Sequence, residues 1–191
     1  MRLALALAAL LLAAPAFAFE PSDGGVFSER VIAITDEVPV PDTVIDLPAG
    51  ATTNLAAYRG RVAIVPIWAT WCHVCDLEMP IINELAAGWG AKGLALAPVS
   101  VDEAPALDLI AKHLESRDLD QFTVMHDRDW ALATRVGVRG TPTTLIVDKF
   151  SQVVAVFEGQ APWKDAEMAA YLDSLAAAPD AKSSRELLLE R

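Results

Sequence analysis

Apolar residues form several short unbroken runs along the chain, separated by polar turns. Residues 61–68 (RVAIVPIW) are almost all apolar and contain Val and Ile, which predicts a strand buried on both faces. Two shorter strands are predicted near 30–35 and 43–50, with a turn closing the second. Four later runs predict the remaining strands, of which the last two form a hairpin: 93–101, 122–127, 143–149 and 152–159.

Between these runs the apolar residues recur at helical spacing. A helix is predicted from Cys72, because these apolar residues recur at helical spacing: Leu77, Ile81, Ile82, Leu85 and Trp89. Pro80 lies inside that helix and should kink it. A second helix, at 103–116, is amphipathic, and these residues share its apolar side: Leu107, Ile110, Ala111 and Leu114. A short helix is expected at 129–137, capped by Asp129 and closed at Gly137, and a last one at 163–175.

Strands that alternate with helices, followed by a hairpin and a final helix, predict an α/β fold. We expect a mixed central sheet with helices on both faces. Both cysteines, Cys72 and Cys75, fall where the buried strand 61–68 meets the next helix. In open α/β sheets, sites form at such strand ends.

The amino terminus has the pattern of a secretory signal peptide. Arg2 is followed by an apolar run from Leu3 to Ala14 and by a small-x-small exit site that ends at Ala18. The run has about 12 residues, fewer than the roughly 20 that a membrane-spanning helix needs. We therefore expect export with cleavage after Ala18, and membrane contact only if the signal is uncleaved. The expected organisation is a signal peptide (1–18), an N-terminal extension (19–42), the main domain (43–177) and a tail (178–191).

The amino-acid composition and net charge exclude some classes of function. With 53% hydrophobic residues the chain can build a globular core. The net charge of −11 argues against nucleic acid as a partner, because phosphate binding requires clustered Lys and Arg. An exported protein can keep disulfides, but only Cys72 and Cys75 are present. The fold therefore cannot be stabilised by several disulfide bonds.

The pair Cys72-His73-Val74-Cys75 allows several interpretations. A zinc site needs four ligands, whereas the chain has one cysteine pair. Copper bound by the two thiols with help from His73 is a further alternative. A static disulfide over so short a loop would stabilise little. We favour electron transfer, and expect no resident metal and no cofactor.

A redox role has a local physical basis. Cys72 is predicted at the first turn of a helix, where free amides and the dipole stabilise a thiolate. The thiolate is the attacking species in disulfide exchange, so Cys72 would be the nucleophile. Cys75, one turn further on, would resolve the mixed disulfide. His73 can add positive charge beside Cys72, or can simply be a solvated spacer.

Glu78 follows Cys75 by one helical turn and should face the same inward side. A partly desolvated carboxylate there could take the proton of Cys75, with its pKa raised towards neutrality. We expect Trp68 in the core and Trp71 on the substrate-facing surface. Three further tryptophans are interpreted as packing residues: Trp89, Trp130 and Trp163.

The segment WATWCHVCDLEMP (68–80) resembles the active site of thioredoxin-fold proteins, specifically the exported thiol-disulfide reductases of the TlpA, ResA and CcmG type. The approach segment 47–72 and the segment VGVRGTPTTLIVDKFSQVV (136–154) are similar to theirs as well. The resemblance runs from about Thr43 to Leu175. It implies a thioredoxin-like fold with an extra helix and strand.

The resemblance also implies residue roles. Cys72 would be the exposed nucleophile, Cys75 the resolving thiol and Glu78 the proton acceptor. Pro142 would be a cis-proline lying against the pair, and Thr141 would offer backbone hydrogen bonds to an extended substrate segment. Cytoplasmic thioredoxins carry a buried aspartate six residues before the first cysteine, where this chain has Pro66. Relatives often have proline inside the pair, so His73-Val74 leaves the redox potential open.

These inferences lead to one expected function. The protein is expected to be a periplasmic protein disulfide reductase with specific client proteins. The resemblance implies clients in cytochrome c maturation (apocytochrome c) or in copper-site assembly of cytochrome oxidase, and an upstream membrane thiol reductase that recharges the pair. Two alternatives stay open at this point: a copper-handling protein, and a dithiol oxidase or isomerase.

Overall fold

A computed structural model describes residues 26–34 and 38–178 of the chain. The predicted signal peptide (1–18) and the first part of the N-terminal extension lie outside the described residues. Of the predicted tail, only Ala178 is described.

The described chain contains eight strands and five α-helices. The strands are β1 (Val31–Ala33), β2 (Ile45–Asp46), β3 (Thr52–Thr53), β4 (Val62–Trp68), β5 (Leu94–Leu96), β6 (Val99–Ser100), β7 (Thr143–Val147) and β8 (Val153–Glu158). The helices are α1 (Val26–Arg30), α2 (His73–Ala86), α3 (Leu107–Glu115), α4 (Ala131–Arg135) and α5 (Ala166–Ala177). The sequence did not predict α1.

The central sheet is mixed and has the order β1-β8-β7-β4-β5, with β6 also paired to β4. β4 runs parallel to β5 and β6 and antiparallel to β7. β7 and β8 form the predicted antiparallel hairpin, and β1 adds to β8. Every residue of β4 and β7 is buried. Both faces of the sheet centre are therefore covered, as the unbroken apolar run predicts.

The strand predicted at 93–101 is broken into β5 and β6 at Ala97 and Pro98. The break lies beside Pro66 of β4, since Ile64 pairs with Leu96 before it and Ile67 pairs with Val99 after it. Proline has no N–H to donate across a ladder. The sheet thus accommodates a proline in its central strand by interrupting the neighbouring strand.

The prediction of a strand at 122–127 is wrong. His126 forms only isolated bridges, one with Asp46 of β2 and one with Ser100 of β6. Both partner strands are two residues long, so the ladder cannot extend. His126 therefore joins the sheet only through these two bridges, and the extra helix implied by the resemblance stays a prediction.

The cap predicted for the short helix is also wrong. The N-cap residue of α4 is Trp130, and the carboxylate of Asp127 accepts hydrogen bonds from the backbone N–H groups of Leu132 and Ala133, each at 2.8 Å. Asp129 has a φ of 59° and makes a turn before the helix. Gly137, with a φ of 75°, closes the helix as predicted, because glycine adopts the left-handed region without strain.

The face that α2 turns to the core contains only part of the apolar set that recurs at helical spacing. Ile82 and Trp89 are buried, and Ile81 packs against the core. Leu77 and Leu85 point outwards and are 56% and 37% exposed. The buried face consists of Cys75, Glu78, Met79, Ile82 and Ala86. The helix carries two apolar stripes at helical spacing, and sequence spacing alone does not tell which one meets the sheet. Pro80 lies within α2.

The apolar side of α3 is likewise shifted from the prediction. Ile110 and Leu114 are buried as expected, but Ala111 is exposed and His113 is buried in its place. No helix within residues 26–34 and 38–178 combines the length and apolarity required to cross a bilayer.

Candidate active site

The two cysteines form a disulfide at the amino end of α2. Cys72 is the residue that caps the helix, and its Sγ accepts a hydrogen bond from the backbone N–H of Cys75 at 3.2 Å. The predicted position at the helix amino terminus is therefore confirmed. Here the helix dipole favours negative charge on sulfur once the pair is reduced.

Both cysteines are largely covered. Cys72 is 5% exposed and Cys75 1% exposed. Cys72 is thus the more accessible of the two, but it is far from the open position that we expected.

The loop that leads into the pair is held by a buried carboxylate that the sequence analysis missed. Asp102 Oδ1 accepts a hydrogen bond from Thr70 Oγ1 at 2.6 Å, and Oδ2 accepts one from Thr70 N at 3.0 Å. Ser100 Oγ donates to Oδ2 at 2.7 Å. The loop then closes on Cys72, whose N–H donates to the carbonyl of Ala69 at 3.1 Å.

Asp102 could have been found from the sequence. It follows directly after the strand predicted at 93–101, and β6 runs parallel to β4. The carboxyl ends of parallel strands meet at one edge of a sheet, and sites form at that edge. A polar residue after either strand was therefore a candidate for the site.

Glu78 lies on the buried face of α2, one turn after Cys75, as predicted. Its Oε1 accepts two hydrogen bonds: from Ala161 N at 2.8 Å and from the indole Nε1–H of Trp163. Burial raises the pKa of Glu78 above its ordinary value, and the two hydrogen bonds oppose that rise. The carboxyl group is therefore suited to hold a proton at a higher pH than a surface glutamate.

Trp163 was expected only to pack. It does pack against Trp89, with ring centroids 6.1 Å apart, but it also donates to Glu78. Glu78 and Trp163 are 85 positions apart in sequence. No local pattern in the sequence indicates this contact.

The second predicted element of the site is the loop before β7. The Thr141–Pro142 peptide bond is cis, as the resemblance implies. Ile67 of β4 pairs with Thr143 of β7, so Pro142 comes next to the end of β4 from which the cysteine loop departs. Thr143 Oγ1 donates to the carbonyl of Gly140 at 2.8 Å, which holds the turn. A substrate contact by Thr141 stays a prediction.

Apolar side chains are exposed around the cysteine pair. Trp71 is 61% exposed, Val74 42% and Leu77 56%. His73 is exposed beside them. Trp68, in contrast, is buried at the end of β4, as expected. Trp71 lies on the surface, whereas its predicted contact with a substrate stays a prediction.

The two remaining histidines have partners elsewhere. His113 Nε2 lies 2.9 Å from Asp76 Oδ1, and Arg117 donates to the other oxygen of Asp76 at 2.9 Å. His126 Nε2 donates to the carbonyl of Asp102 at 2.8 Å. Among the residues that the structure describes, no group of three or more His, Cys, Asp and Glu side chains is arranged to hold a metal ion.

The mixed sheet, the flanking helices and the cysteine pair at a helix amino end define a class: the protein has a thioredoxin-like fold and is a thiol-disulfide oxidoreductase. The model of the family described as Redoxin matches residues 35–172, well over half of the chain. The chain therefore belongs to the Redoxin family.

Curated relatives and solved structures agree with this assignment. Over 133 residues the chain is 32% identical to "Thiol-disulfide oxidoreductase ResA" of Geobacillus thermodenitrificans, covering 70% of this chain and 74% of that protein. It is 33% identical over 129 residues to "Thiol:disulfide interchange protein DsbE" of Pseudomonas fluorescens, covering 65% and 67%. A crystal structure of a putative DsbE from Chlorobium tepidum superposes with a TM-score of 0.62 at 28% identity, covering 74% of this chain and 96% of that one.

Proposed function

We propose that the protein is a periplasmic disulfide reductase that acts on specific client proteins through Cys72 and Cys75. The observation that carries the proposal is the cysteine pair at the amino end of α2, with Glu78 buried one turn further along the same helix. The reducing unit would be residues 43–177, delivered across the inner membrane by the signal pattern in residues 1–18.

The reaction begins with the reduced pair. The Cys72 thiolate attacks one sulfur of a client disulfide, and the other client sulfur leaves as a thiolate that takes a proton from solvent. Cys75 gives its proton to Glu78 and attacks Cys72 Sγ. The Cys72–Cys75 bond forms, the bond from Cys72 to the client breaks, and the second client thiolate takes the proton that Glu78 received. Two electrons and two protons pass to the client, and the pair is left oxidised.

The remaining predicted residues serve recognition in this proposal. The exposed Trp71 and His73 border the pair, and would contact the client beside its disulfide. Thr141 and Pro142 lie immediately before β7 and next to the cysteine loop, where an extended client segment would run alongside them. An upstream membrane thiol reductase would return the pair to its dithiol form.

The clients proposed are apocytochrome c or proteins that assemble the copper sites of cytochrome oxidase. A trapping experiment tests this choice. The variant Cys75→Ser cannot resolve the mixed disulfide, so clients should stay linked to Cys72 in the protein's own cell and be identified by mass spectrometry. The variant that replaces both cysteines with serine is the control and should trap nothing.

The redox state of the clients gives the direction of electron flow. In cells that lack the protein, client cysteines should accumulate as disulfides. Clients that accumulate as free thiols would instead assign the protein as an oxidase. Absence of any thiol-sensitive adduct with Cys75→Ser would contradict the proposed reductase activity.

A further inference from the structure

The surroundings of Glu78 are asymmetric. Oε1 accepts both recorded hydrogen bonds, from the Ala161 amide and the Trp163 indole. Within the described part of the chain, Oε2 accepts none. A carboxylic acid carries its proton on one oxygen and accepts with the other. An oxygen that is already held by two N–H donors serves as the accepting carbonyl oxygen in both protonation states.

We propose that Trp163 is a positioning residue for proton transfer: together with the Ala161 amide it holds Oε1 of Glu78, so that Oε2 carries the proton exchanged with Cys75. This inference rests on the proposed function and adds a residue to it. Trp163 does not touch the reacting sulfur atoms in this scheme; it acts through Glu78. The step balances, because the Cys75 S–H bond breaks as the Oε2–H bond forms.

The hydrogen bond from Trp163 to Glu78 also opposes the rise that burial causes in the pKa of Glu78. Glu78 is 2% exposed, and loss of hydration disfavours its charged form. An N–H donor stabilises the carboxylate more strongly than the neutral acid. Trp163 therefore keeps Glu78 able to lose its proton at a pH where burial alone would keep it protonated.

Other charged groups near these segments have different partners or face solvent. On α2, Asp76 bonds to side chains of α3 and its following loop. After Trp163, Lys164 is exposed and Asp165 caps α5. Neither these groups nor any other charged side chain of the described residues forms an ion pair with Glu78. Burial and the two N–H donors thus set its titration.

The variant Trp163→Phe tests the proposal, and Trp89→Phe is the matched control. Both remove an indole from the same buried pair of rings, but only Trp163 donates to Glu78. Carbon-13 NMR of labelled glutamate in the oxidised protein follows the Glu78 carboxyl directly, because the disulfide does not titrate. In Trp163→Phe the midpoint should rise by about one pH unit, since a hydrogen bond to a charged group is lost. Trp89→Phe should titrate like the wild type.

A measurement on the unmodified protein covers the case in which Trp163→Phe fails to fold. The Trp163 Nε1–H proton resonance should shift with the same midpoint as the Glu78 carboxyl. A resonance that does not follow Glu78 overturns the proposal. So does a midpoint that is unchanged or lower in Trp163→Phe, or one that rises equally in Trp89→Phe.

Kinetic measurements test whether Trp163 affects the proton transfer from Cys75 to Glu78. With a synthetic peptide that contains one disulfide, acid quenching and mass spectrometry measure the lifetime of the mixed disulfide. Trp163→Phe should displace the pH dependence of that lifetime to higher pH, and should add nothing in a Glu78→Gln background. An equal effect in both backgrounds would make Trp163 merely structural and overturn the proposal.

The two proposals fail in distinguishable ways. If Cys75→Ser traps no client while the Glu78 midpoint rises as expected in Trp163→Phe, the reductase proposal fails and the Trp163 contact stands. If clients are trapped but the midpoint does not move, Trp163 alone is removed from the mechanism.

Discussion

The carboxylate of Asp102 accepts hydrogen bonds from both the backbone N–H and the hydroxyl of Thr70, two residues before Cys72. Asp102 is 3% exposed, and Ser100 supplies a further donor. The segment after β6 thereby holds the loop that leads into Cys72. This connection fixes where the amino end of α2 begins relative to the sheet.

Replacing Asp102 should destabilise the fold. In Asp102→Ala the Thr70 amide and hydroxyl lose their acceptor, and hydrogen bonds to a charged group contribute about 1.5–3 kcal/mol each. Because water can partly replace the acceptor, we expect a loss of about 3 kcal/mol in the free energy of unfolding. Urea unfolding of the oxidised protein measures it. The adjacent exposed residue provides the control: Glu103→Ala should change stability by less than about 0.5 kcal/mol. Equal effects would contradict this assignment for Asp102.

Glu78→Gln should slow the resolving step without unfolding the protein. The glutamine carbonyl can still accept from Ala161 and Trp163, but it cannot take the Cys75 proton. General-base catalysis contributes roughly 100-fold or more. We expect a mixed disulfide that is about 100-fold longer-lived at neutral pH, measured by acid quenching. Glu84→Gln, on the exposed side of α2, should behave as the wild type. An unchanged lifetime would exclude Glu78 as the base.

The raised pKa of Glu78 has a consequence for stability. The folded protein holds the Glu78 proton to a higher pH than the unfolded chain, so folding is favoured by protonation. This contribution is fully present below the unfolded pKa and is lost as pH rises through the folded pKa. In urea titrations from about pH 4 to 8, the wild type should therefore lose stability relative to Glu78→Gln with rising pH. A constant difference between the two proteins, or one of opposite sign, would show that burial does not control this group.

The two cysteines of the reduced protein should differ in reactivity. Cys72 caps α2, where the thiolate is stabilised, whereas Cys75 is 1% exposed. At pH 7, iodoacetamide should alkylate Cys72 about ten-fold faster than a cysteine in an unstructured peptide. Peptide mapping should find Cys75 unmodified in the native state. Cys75→Ser should retain the fast reaction and Cys72→Ser should lose it. A Cys72 rate equal to that of the free peptide would remove the basis for its role as nucleophile.

Several features of the fold were accessible from the sequence because they depend on neighbours along the chain. The apolar run that became β4 has no polar residue to face water, so it could only be buried on both sides. The hairpin of β7 and β8 followed from two apolar runs with a short turn between them. The position of Cys72 at a helix start followed from the change of periodicity after Trp68.

The predictions failed where the outcome depended on residues that are far apart in the sequence. Of the apolar residues that recur along α2, the sheet buries Ile82 but leaves Leu77 and Leu85 exposed. The run 122–127 has strand-like composition, but the two neighbouring strands are two residues long and each forms a single bridge with it. Asp127 rather than Asp129 accepts hydrogen bonds from the free amides of α4.

The sequence by itself determined which side chains could carry the chemistry. Cys72, Cys75 and Glu78 lie within two turns of one helix, and spacing of three residues places them on one side whatever surrounds that helix. Only the tertiary structure decided how these groups are tuned. Asp102 lies 30 positions after Cys72 in the sequence, and Trp163 lies 85 positions after Glu78. The burial of the Glu78 carboxyl and the hydrogen bonds that oppose it exist only once the sheet and the segment before α5 have closed over α2.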